Sequence, residues 1–322
     1  ASPVLMLTYT INGEGEYECP LLAEEIDGIN YALDTETKQA TVIAKTSDNY
    51  SGEIVIPESV EYNGTTYSVT SIGESAFDYC DSLTSITIPN GVTSIGYSAF
   101  NSCHSLTSIT IPDSVTSIGD YAFEGCRSLT SITLPDSVTS IGESVFSSCR
   151  SLTTITIPDG VTSIGSSSFK DCSSLTNITI PEGVTSIESS AFYGCSSLIS
   201  IIVSSNNINY SSVEGVLFNK DKTELICCPN AKVGAYLIPD SVTSIGSSAF
   251  KDCSSLTNIT IPEGVTSIGY SAFSGCSSLT NITIPESVTE IGYYAFENCS
   301  SLTSITIPES VTELGNYAFY GC

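Results

Sequence analysis

The chain has 322 residues, 41% of them apolar, which is enough for a buried core and argues against a disordered chain. Its 35 acidic and 9 basic residues give a formal net charge of −26, which repels phosphate backbones and anionic membranes and so excludes nucleic acid as a partner. No run reaches the roughly 18 to 20 apolar residues that span a bilayer, so direct membrane insertion is not expected.

Residues 1–56 are predicted to form an N-terminal capping segment. The opening ASPVLMLTYT lacks the charged start and long apolar stretch of a signal peptide, so a leader of an exported protein is expected to have been removed already. Residues 26–43 alternate apolar and polar side chains around a DTETK turn, which predicts a β-hairpin that caps the following stack. A second hairpin is predicted over residues 60–69, where Asn63 and Gly64 separate two alternating runs.

Residues 57–322 repeat one phrase of 23 residues. Proline recurs at this spacing in two runs: Pro89, Pro112, Pro135, Pro158 and Pro181, then Pro239, Pro262, Pro285 and Pro308. Cysteine keeps the same period at Cys80, Cys103, Cys126, Cys149, Cys172, Cys195, Cys253, Cys276, Cys299 and Cys322. Because one coil cannot bury its apolar side alone, the repeat predicts a solenoid in which neighbouring coils stabilise each other.

Each coil has a predicted internal order. Leu106, Ile109 and Ile111 show the spacing of a leucine-rich repeat strand, and Pro112 ends that strand because it offers no backbone donor. A second short extended stretch follows over 115–118, and then a short turn that is helical or 3₁₀. The predicted fold class is a leucine-rich repeat right-handed superhelix, a β-rich α/β horseshoe or arc of 23-residue coils with hairpin insertions.

The repeat is interrupted between Pro181 and Pro239, which lie 58 residues apart. The segment GVLFNKDKTELICCP places two apolar runs around a turn at 219–222, which predicts a protruding hairpin within residues 204–236. The chain stops inside the repeated phrase at Cys322, so a truncated C-terminus is expected.

The cysteine row is predicted to be a ladder of reduced, buried thiols. One cysteine per coil does not converge as metal ligands do, and stacked coils are wider apart than disulfide geometry prefers. The row comprises Cys80, Cys103, Cys126, Cys149, Cys172, Cys195, Cys253, Cys276 and Cys299. The adjacent Cys227 and Cys228 allow two interpretations, a strained vicinal disulfide or two strand residues on opposite faces, and Cys19 stands alone.

No catalytic constellation is found in the sequence, and no cofactor or metal is predicted. The only histidine, His104, occupies a position that other coils fill with Asp81, Arg127 or Ser173, so we interpret it as a variable surface residue. A carboxylate follows most of the repeat prolines, at Asp113, Asp136, Asp159, Glu182, Asp240, Glu263, Glu286 and Glu309. A solvated acidic edge is the favoured interpretation of this row, and calcium binding is the alternative.

Two sets of residues are candidates for binding. The first is the hydroxyl face of the leucine-rich strand, represented by Thr84, Thr107, Thr130 and Thr153. The second is a set of tyrosines that follow the Ile-Gly pair, namely Tyr97, Tyr121, Tyr270, Tyr293, Tyr294 and Tyr317. Tyrosine is favoured at recognition sites, but these rings are equally compatible with packing along the flank of the coils.

The phrase IPxxVTSIGxxAFxxCxSL, met at residues 111–129, resembles the BspA-like class of bacterial leucine-rich repeats, and the resemblance extends over residues 26–322. It implies a secreted or surface-attached protein without a catalytic site that binds host or bacterial surface proteins, and we expect a monomeric adhesion scaffold. A carbohydrate-binding module that uses the hydroxyl face and the tyrosines is the alternative. Glu188 departs from the pattern by replacing the repeat glycine, so that position does not always require glycine's backbone freedom.

Overall fold

A computed structural model describes residues 21–322 in full, together with the backbone of residues 10–11 and 17–18. The chain divides between Phe169 and Lys170 into two compact units, and each is described by itself. None of the described residues forms a helix long and apolar enough to cross a membrane.

The first part of unit 1 is built from hairpins. Its strands are β1 (Thr10–Ile11), β2 (Tyr17–Glu18), β3 (Leu21–Ile26), β4 (Ile29–Asp34), β5 (Gln39–Ile43), β6 (Gly52–Val55), β7 (Ser59–Tyr62) and β8 (Thr65–Ile72). Strands β3, β4 and β5 form an antiparallel meander, so the hairpin read from residues 26–43 is present and has one more strand before it. Strand β5 then runs parallel to β8 and joins this meander to the coils.

The Asn63-Gly64 turn joins β7 and β8. Both residues have positive φ, 49° and 75°, as a two-residue hairpin turn of this kind requires, and Tyr62 pairs with Thr65 across it. The turn signal in the sequence therefore located this hairpin correctly.

Each later coil of unit 1 contributes one face strand and one shorter flank strand. In chain order these are β9 (Leu83–Thr87), β10 (Ser94–Ile95), β11 (Ser108–Thr110), β12 (Ser117–Ile118), β13 (Ser131–Thr133), β14 (Ser140–Ile141), β15 (Thr154–Thr156) and β16 (Ser163–Ile164), with the odd numbers forming the face. Face strands pair in parallel with partners 23 residues apart, as Ile109 does with Ile132. Flank strands keep the same offset, as Ile95 does with Ile118. The 23-residue period is therefore the stacking register.

The segment after each flank strand forms hydrogen-bonded turns. The N–H groups of Ala122, Glu124 and Cys126 each donate to the carbonyl three residues earlier, and positive φ at Tyr121 and Gly125 interrupts any continuation of the turn. No residue of 21–322 lies in an α- or 3₁₀-helix, so the predicted helical turn is not confirmed. A left-handed residue every fourth position prevents successive turns from adding into a helix.

The core of each coil is filled by leucine, isoleucine, valine, phenylalanine and cysteine at the positions predicted from the repeat. In unit 1 the phenylalanine rings form a column with centroids 5.1 to 5.7 Å apart and nearly parallel planes, from Phe77 through Phe100, Phe123 and Phe146 to Phe169. Unit 2 repeats the arrangement from Phe250 to Phe319 at 5.0 to 5.3 Å. Such offset stacks add about 0.5 to 1.5 kcal/mol each beyond the burial of the rings.

The repeat glycines are required by close approach between coils. Gly119 has no positive φ, but a Cβ built on it would lie 2.5 Å from the backbone nitrogen of Tyr97 and 2.6 Å from the carbonyl carbon of Gly96. The close approach, and not backbone freedom, favours glycine at Gly119, and Glu188 shows that another coil accommodates a side chain at this position.

Unit 2 has the same two-strand coils with one insertion. Its strands are β17 (Asn177–Ile180), β18 (Ser186–Ile187), β19 (Ser200–Val203), β20 (Tyr210–Val213), β21 (Val216–Asn219), β22 (Glu224–Cys227), β23 (Gly234–Leu237), β24 (Ser244–Ile245), β25 (Leu256–Thr260), β26 (Ser267–Ile268), β27 (Asn281–Thr283), β28 (Glu290–Ile291) and β29 (Glu313–Leu314). Strands β20, β21 and β22 form the insertion as an antiparallel meander.

The insertion does not protrude as predicted. Val216, Phe218 and Leu225 are fully buried in the same core as the later coils, and β22 pairs in parallel with β24. Each of the two strands carries three apolar residues, which are cheaper to bury than to expose, so the hairpin predicted around residues 219–222 is built into the stack.

Candidate interaction surface

The cysteine row lies inside the coils and has a hydrogen-bonding role. All nine cysteines of the row, from Cys80 to Cys299, are buried. The thiol of Cys126 donates to the carbonyl of Phe100 at 3.2 Å, and that of Cys276 donates to the carbonyl of Phe250 at 3.1 Å. The same bond recurs 26 residues back from Cys103, Cys149 and Cys299. A small side chain with a weak donor therefore fills the slot and satisfies a carbonyl of the preceding coil.

Burial keeps these thiols protonated. It raises the pKa of Cys126 and of Cys299 to about 12, and that of Cys103 further in the same direction. Because the thiolate is the nucleophile and the metal ligand, a buried neutral thiol performs neither role at neutral pH. Among the described residues, no three His, Cys, Asp or Glu side chains are grouped so that they could hold a metal ion.

Cys227 and Cys228 line a cavity of about 100 Å³ together with Glu188, Tyr193 and Lys251. Both are free thiols, and each has its sulfur 3.8 Å from a backbone carbonyl of the next residue. The vicinal disulfide is thus not formed, and the alternative of two strand residues holds for Cys227 only, because β22 ends there. Cys19 lies outside the described residues.

His104 forms a surface ion pair. Its Nδ1 lies 2.7 Å from a carboxylate oxygen of Asp81, one coil earlier, and both side chains are partly exposed. An exposed pair of this kind contributes little stability.

The four predicted threonines of the hydroxyl face are exposed, and the hydroxyls of three of them donate to the preceding coil. Thr107 donates to the carbonyl of Thr84 at 3.4 Å, Thr130 to Thr107 at 3.5 Å and Thr153 to Thr130 at 3.3 Å. These are long bonds, and one more is made by Thr280 to Thr257 in unit 2; they leave mainly acceptor lone pairs on these threonines for a ligand. The sequence placed these residues on the surface and missed their bonds between coils.

The carboxylates that follow the repeat prolines are all exposed, from Asp113 to Glu309. They lie one coil apart along each unit. A solvated acidic edge accounts for them.

The predicted tyrosines gather into two sets, one in each unit. In unit 1, Tyr97 and Tyr121 have ring centroids 5.3 Å apart, and the hydroxyl of Tyr121 donates to Glu143. That hydrogen bond is the main reason that the pKa of Tyr121 rises to about 12. The ring of Tyr121 is therefore held in place, whereas that of Tyr97 is about half exposed.

The larger set, here called the C-terminal tyrosine row, comprises Tyr270, Tyr293, Tyr294, Tyr317 and Tyr320. Its rings make a continuous series of contacts, from Tyr270 to Tyr294 at 5.9 Å, from Tyr294 to Tyr317 at 5.4 Å and from Tyr317 to Tyr320 at 6.0 Å. Tyr270, Tyr293, Tyr317 and Tyr320 expose 52%, 54%, 60% and 61% of their surface. Tyr320 was missed by the sequence reasoning because it follows the buried phenylalanine instead of the Ile-Gly pair.

Several of these tyrosines occupy an unfavourable backbone conformation. Tyr121, Tyr294 and Tyr317 have φ of 61°, 57° and 60°, at a position where Ser271 and most other coils have serine. A bulky residue in this region costs about 1 to 3 kcal/mol, and such a cost concentrates at functional positions. The coil does not need a ring here to fold, so the rings are best understood as surface features.

A second exposed group was not singled out from the sequence. Around the insertion, Ile199, Ile202, Val233 and Leu237 are exposed on β19, β23 and the residues next to them, where other coils carry Thr, Ser or Asn. The sequence signal for this group was the replacement of polar residues by apolar ones at positions that face outward in the other coils.

Comparison with known proteins gives consistent matches. The family model described as BspA type leucine rich repeat region matches in six copies over residues 58–126, 93–215 and 227–322. A leucine rich cell surface protein from Faecalibacterium prausnitzii A2-165 is 32% identical with a TM-score of 0.71, over 94% of this chain and 92% of that chain.

Two further solved structures are similar over most of their length. The pneumococcal vaccine antigen PcpA is 27% identical with a TM-score of 0.79, over 91% of this chain and 78% of that chain. A leucine-rich repeat protein from Eubacterium ventriosum ATCC 27560 is 27% identical with a TM-score of 0.51, over 94% and 95%. No curated protein matches the chain significantly.

Proposed function

The chain belongs to the BspA-type leucine-rich repeat family, and from that premise we propose that it is a non-enzymatic interaction scaffold on the outside of a bacterial cell. It binds proteins of the host or of neighbouring bacteria, and so serves in adhesion. The similar structures support the location, because one is a leucine rich cell surface protein and another is a vaccine antigen.

The observation that favours this function is the exposure of the C-terminal tyrosine row. Rigid aromatic rings with a polar tip supply large contact areas at low entropic cost and are enriched at binding hot spots. The reactive groups of the coils, by contrast, are the thiols of the cysteine row, which lie in the core with raised pKa. The fold thus exposes the tyrosine rings and buries the thiols of the cysteine row.

Carbohydrate binding is the second candidate. Exposed tyrosine rings also suit sugars, but the threonine donors of the hydroxyl face are committed to bonds between coils. A sugar would find mainly acceptor oxygens on those threonines, which makes a protein partner the better fit.

The test is a binding screen with a matched variant. The chain is immobilised and probed with purified matrix and serum proteins and with a glycan array, beside the variant Tyr270→Ser/Tyr293→Ser/Tyr317→Ser. Serine occupies the corresponding positions at Ser247, Ser189 and Ser271, so these changes copy residues that the fold already uses.

We expect a protein ligand that the variant no longer retains, with a thermal midpoint no lower than that of the wild type, because Tyr317→Ser relieves the strained backbone position. Equal retention by both chains would refute the role of the tyrosines. Retention of protein-free glycans that is lost in the variant would replace the protein-binding proposal with the carbohydrate one.

A further inference from the structure

The C-terminal tyrosine row lies in a part of the chain that has no basic residue. After Lys251 the sequence contains no Lys, Arg or His, but it has seven carboxylates, at Asp252, Glu263, Glu286, Glu290, Glu297, Glu309 and Glu313. No ion pair within residues 252–322 can therefore neutralise them. This is where charge complementarity favours a cationic partner.

Two of the carboxylates are placed next to each other by the sheet register. Glu290 pairs with Glu313 on the flank strands β28 and β29, and both are exposed. The preceding coils carry Ser244 and Ser267 at this position, so the two acids are a local departure from the repeat. Neighbouring strands lie about 4.8 Å apart, and like charges directly opposite each other are destabilising. A cation bound beside them would relieve that repulsion.

The same coils carry the rings. Glu290 precedes Tyr293 and Tyr294 by three and four residues, and Glu313 precedes Tyr317 by four. Glu297 closes a turn with Tyr294 by donating its N–H to the tyrosine carbonyl at 3.0 Å. The paired carboxylates therefore lie within four residues of the rings in the same coils.

Elsewhere in unit 2 the chain places its own lysines on tyrosine rings. The ammonium of Lys251 lies 4.6 Å from the ring centroid of Tyr193, and that of Lys232 lies 5.0 Å from Tyr236. Cations are attracted to the negative faces of aromatic rings at these distances. The rings from Tyr270 onward have no lysine or arginine in their own coils to play this part.

We propose that the C-terminal tyrosine row and the Glu290–Glu313 pair bind a cationic peptide segment, with arginine or lysine side chains over the exposed rings and beside the carboxylates. This deepens the proposed scaffold function, on which it rests, by naming the chemistry of the partner. Arginine is expected to bind better than lysine because its planar group both stacks on rings and pairs with carboxylates.

The test measures affinity of the whole chain for a nine-residue arginine peptide, with a nine-residue citrulline peptide as the uncharged control, by fluorescence anisotropy at several salt concentrations. Three variants are compared with the wild type. Tyr270→Ser/Tyr293→Ser/Tyr317→Ser removes rings without changing charge. Glu290→Ser/Glu313→Ser removes the paired carboxylates, and Glu263→Ser/Glu286→Ser removes the same charge from the acidic edge.

We expect the arginine peptide to bind, the citrulline peptide not to bind, and the affinity to fall with salt. The tyrosine variant should bind about tenfold more weakly. Loss of Glu290 and Glu313 should weaken binding several-fold more than loss of Glu263 and Glu286, because only the former two lie within four residues of a ring and form a like-charge pair.

Equal effects of the two glutamate variants, or an unchanged affinity in the tyrosine variant, would show non-specific charge attraction and overturn the inference. The absence of any binding by the arginine peptide would do the same. If the tyrosine variant loses a protein ligand in the earlier screen while keeping its affinity for the arginine peptide, the scaffold function stands and the cationic partner is refuted.

Discussion

Replacement of one repeat glycine tests how closely the coils are stacked. A Cβ at Gly292 would lie 2.6 Å from the carbonyl carbon of Gly269, 2.7 Å from its oxygen and 2.7 Å from the nitrogen of Tyr270. All three atoms are backbone of the preceding coil and cannot rotate away. Gly292→Ala must therefore separate the two coils locally, and overpacking of this kind costs about 1 to 3 kcal/mol.

The matched control is Gly264, which follows the repeat proline of the preceding coil. At Gly264 the nearest atoms to an added Cβ are the carbonyl oxygens of Val242 at 3.4 Å and of Asp240 at 3.6 Å, which is ordinary contact. Later coils carry Ser287 and Ser310 in this place. Gly264→Ala should leave stability unchanged or raise it by about 0.4 to 1 kcal/mol, since alanine lowers the entropy of the unfolded chain.

Thermal unfolding followed by circular dichroism measures both variants. For a unit of this size, 1 kcal/mol shifts the midpoint by about 2 to 4 °C, so Gly292→Ala should lower it by about 2 to 12 °C. Equal midpoints for the two variants would refute the stacking argument. Glu188 occupies the same place in another coil, so the prediction applies to the spacing measured at Gly292 and not to every coil.

Three further predictions concern the contacts that hold the coils together. Phe123→Leu keeps apolar burial but loses stacking on Phe100 and Phe146, so urea unfolding should show a loss of about 1 to 3 kcal/mol; a loss below about 0.5 kcal/mol would mean that stacking adds nothing to burial. Thr280→Val removes the 3.1 Å bond to the carbonyl of Thr257 and should cost about 0.5 to 1 kcal/mol, which an unchanged midpoint would contradict. The folded pKa of Cys126, about 12, lies above the ordinary thiol value of 9.0, so the unfolded chain loses its proton first. The stability that this thiol contributes is therefore complete below pH 9 and declines as the pH rises toward 12, and a flat profile of stability against pH would contradict the burial effect. Native protein at pH 8 should also react with iodoacetamide far more slowly than unfolded protein, and equal labelling rates would contradict the burial effect as well.

Much of the fold could be predicted because every copy of the repeat places the same apolar residues at the same offsets. A leucine, two isoleucines and a phenylalanine at fixed offsets have one stacking register that buries them all, and the observed pairing of Ile109 with Ile132 is that register. The Asn63-Gly64 hairpin was equally accessible, because its turn depends on two residues with positive φ.

The candidate surface was harder to predict because it depends on relations between coils. The sequence shows that Thr107 is outward, but only the spacing of stacked backbones shows that its hydroxyl reaches Thr84. The sequence shows that Tyr294 and Tyr317 occupy the same position in successive coils, but the left-handed φ of both residues is visible only in the structure. The buried insertion was misjudged for a similar reason, since its core neighbours lie in later coils.

A chain whose coils are nearly identical cannot specify a partner by the residues that repeat, because those residues present the same weak site many times along the face. Specificity must arise where a coil departs from the phrase at no benefit to its own packing. Glu290 and Glu313 replace serine and create a like-charge pair, and Tyr294 and Tyr317 replace serine at a strained backbone position. Each exchange costs stability in the isolated chain. That these costs fall together on the same coils, where no basic residue relieves them, is the physical reason to look for the partner at this edge.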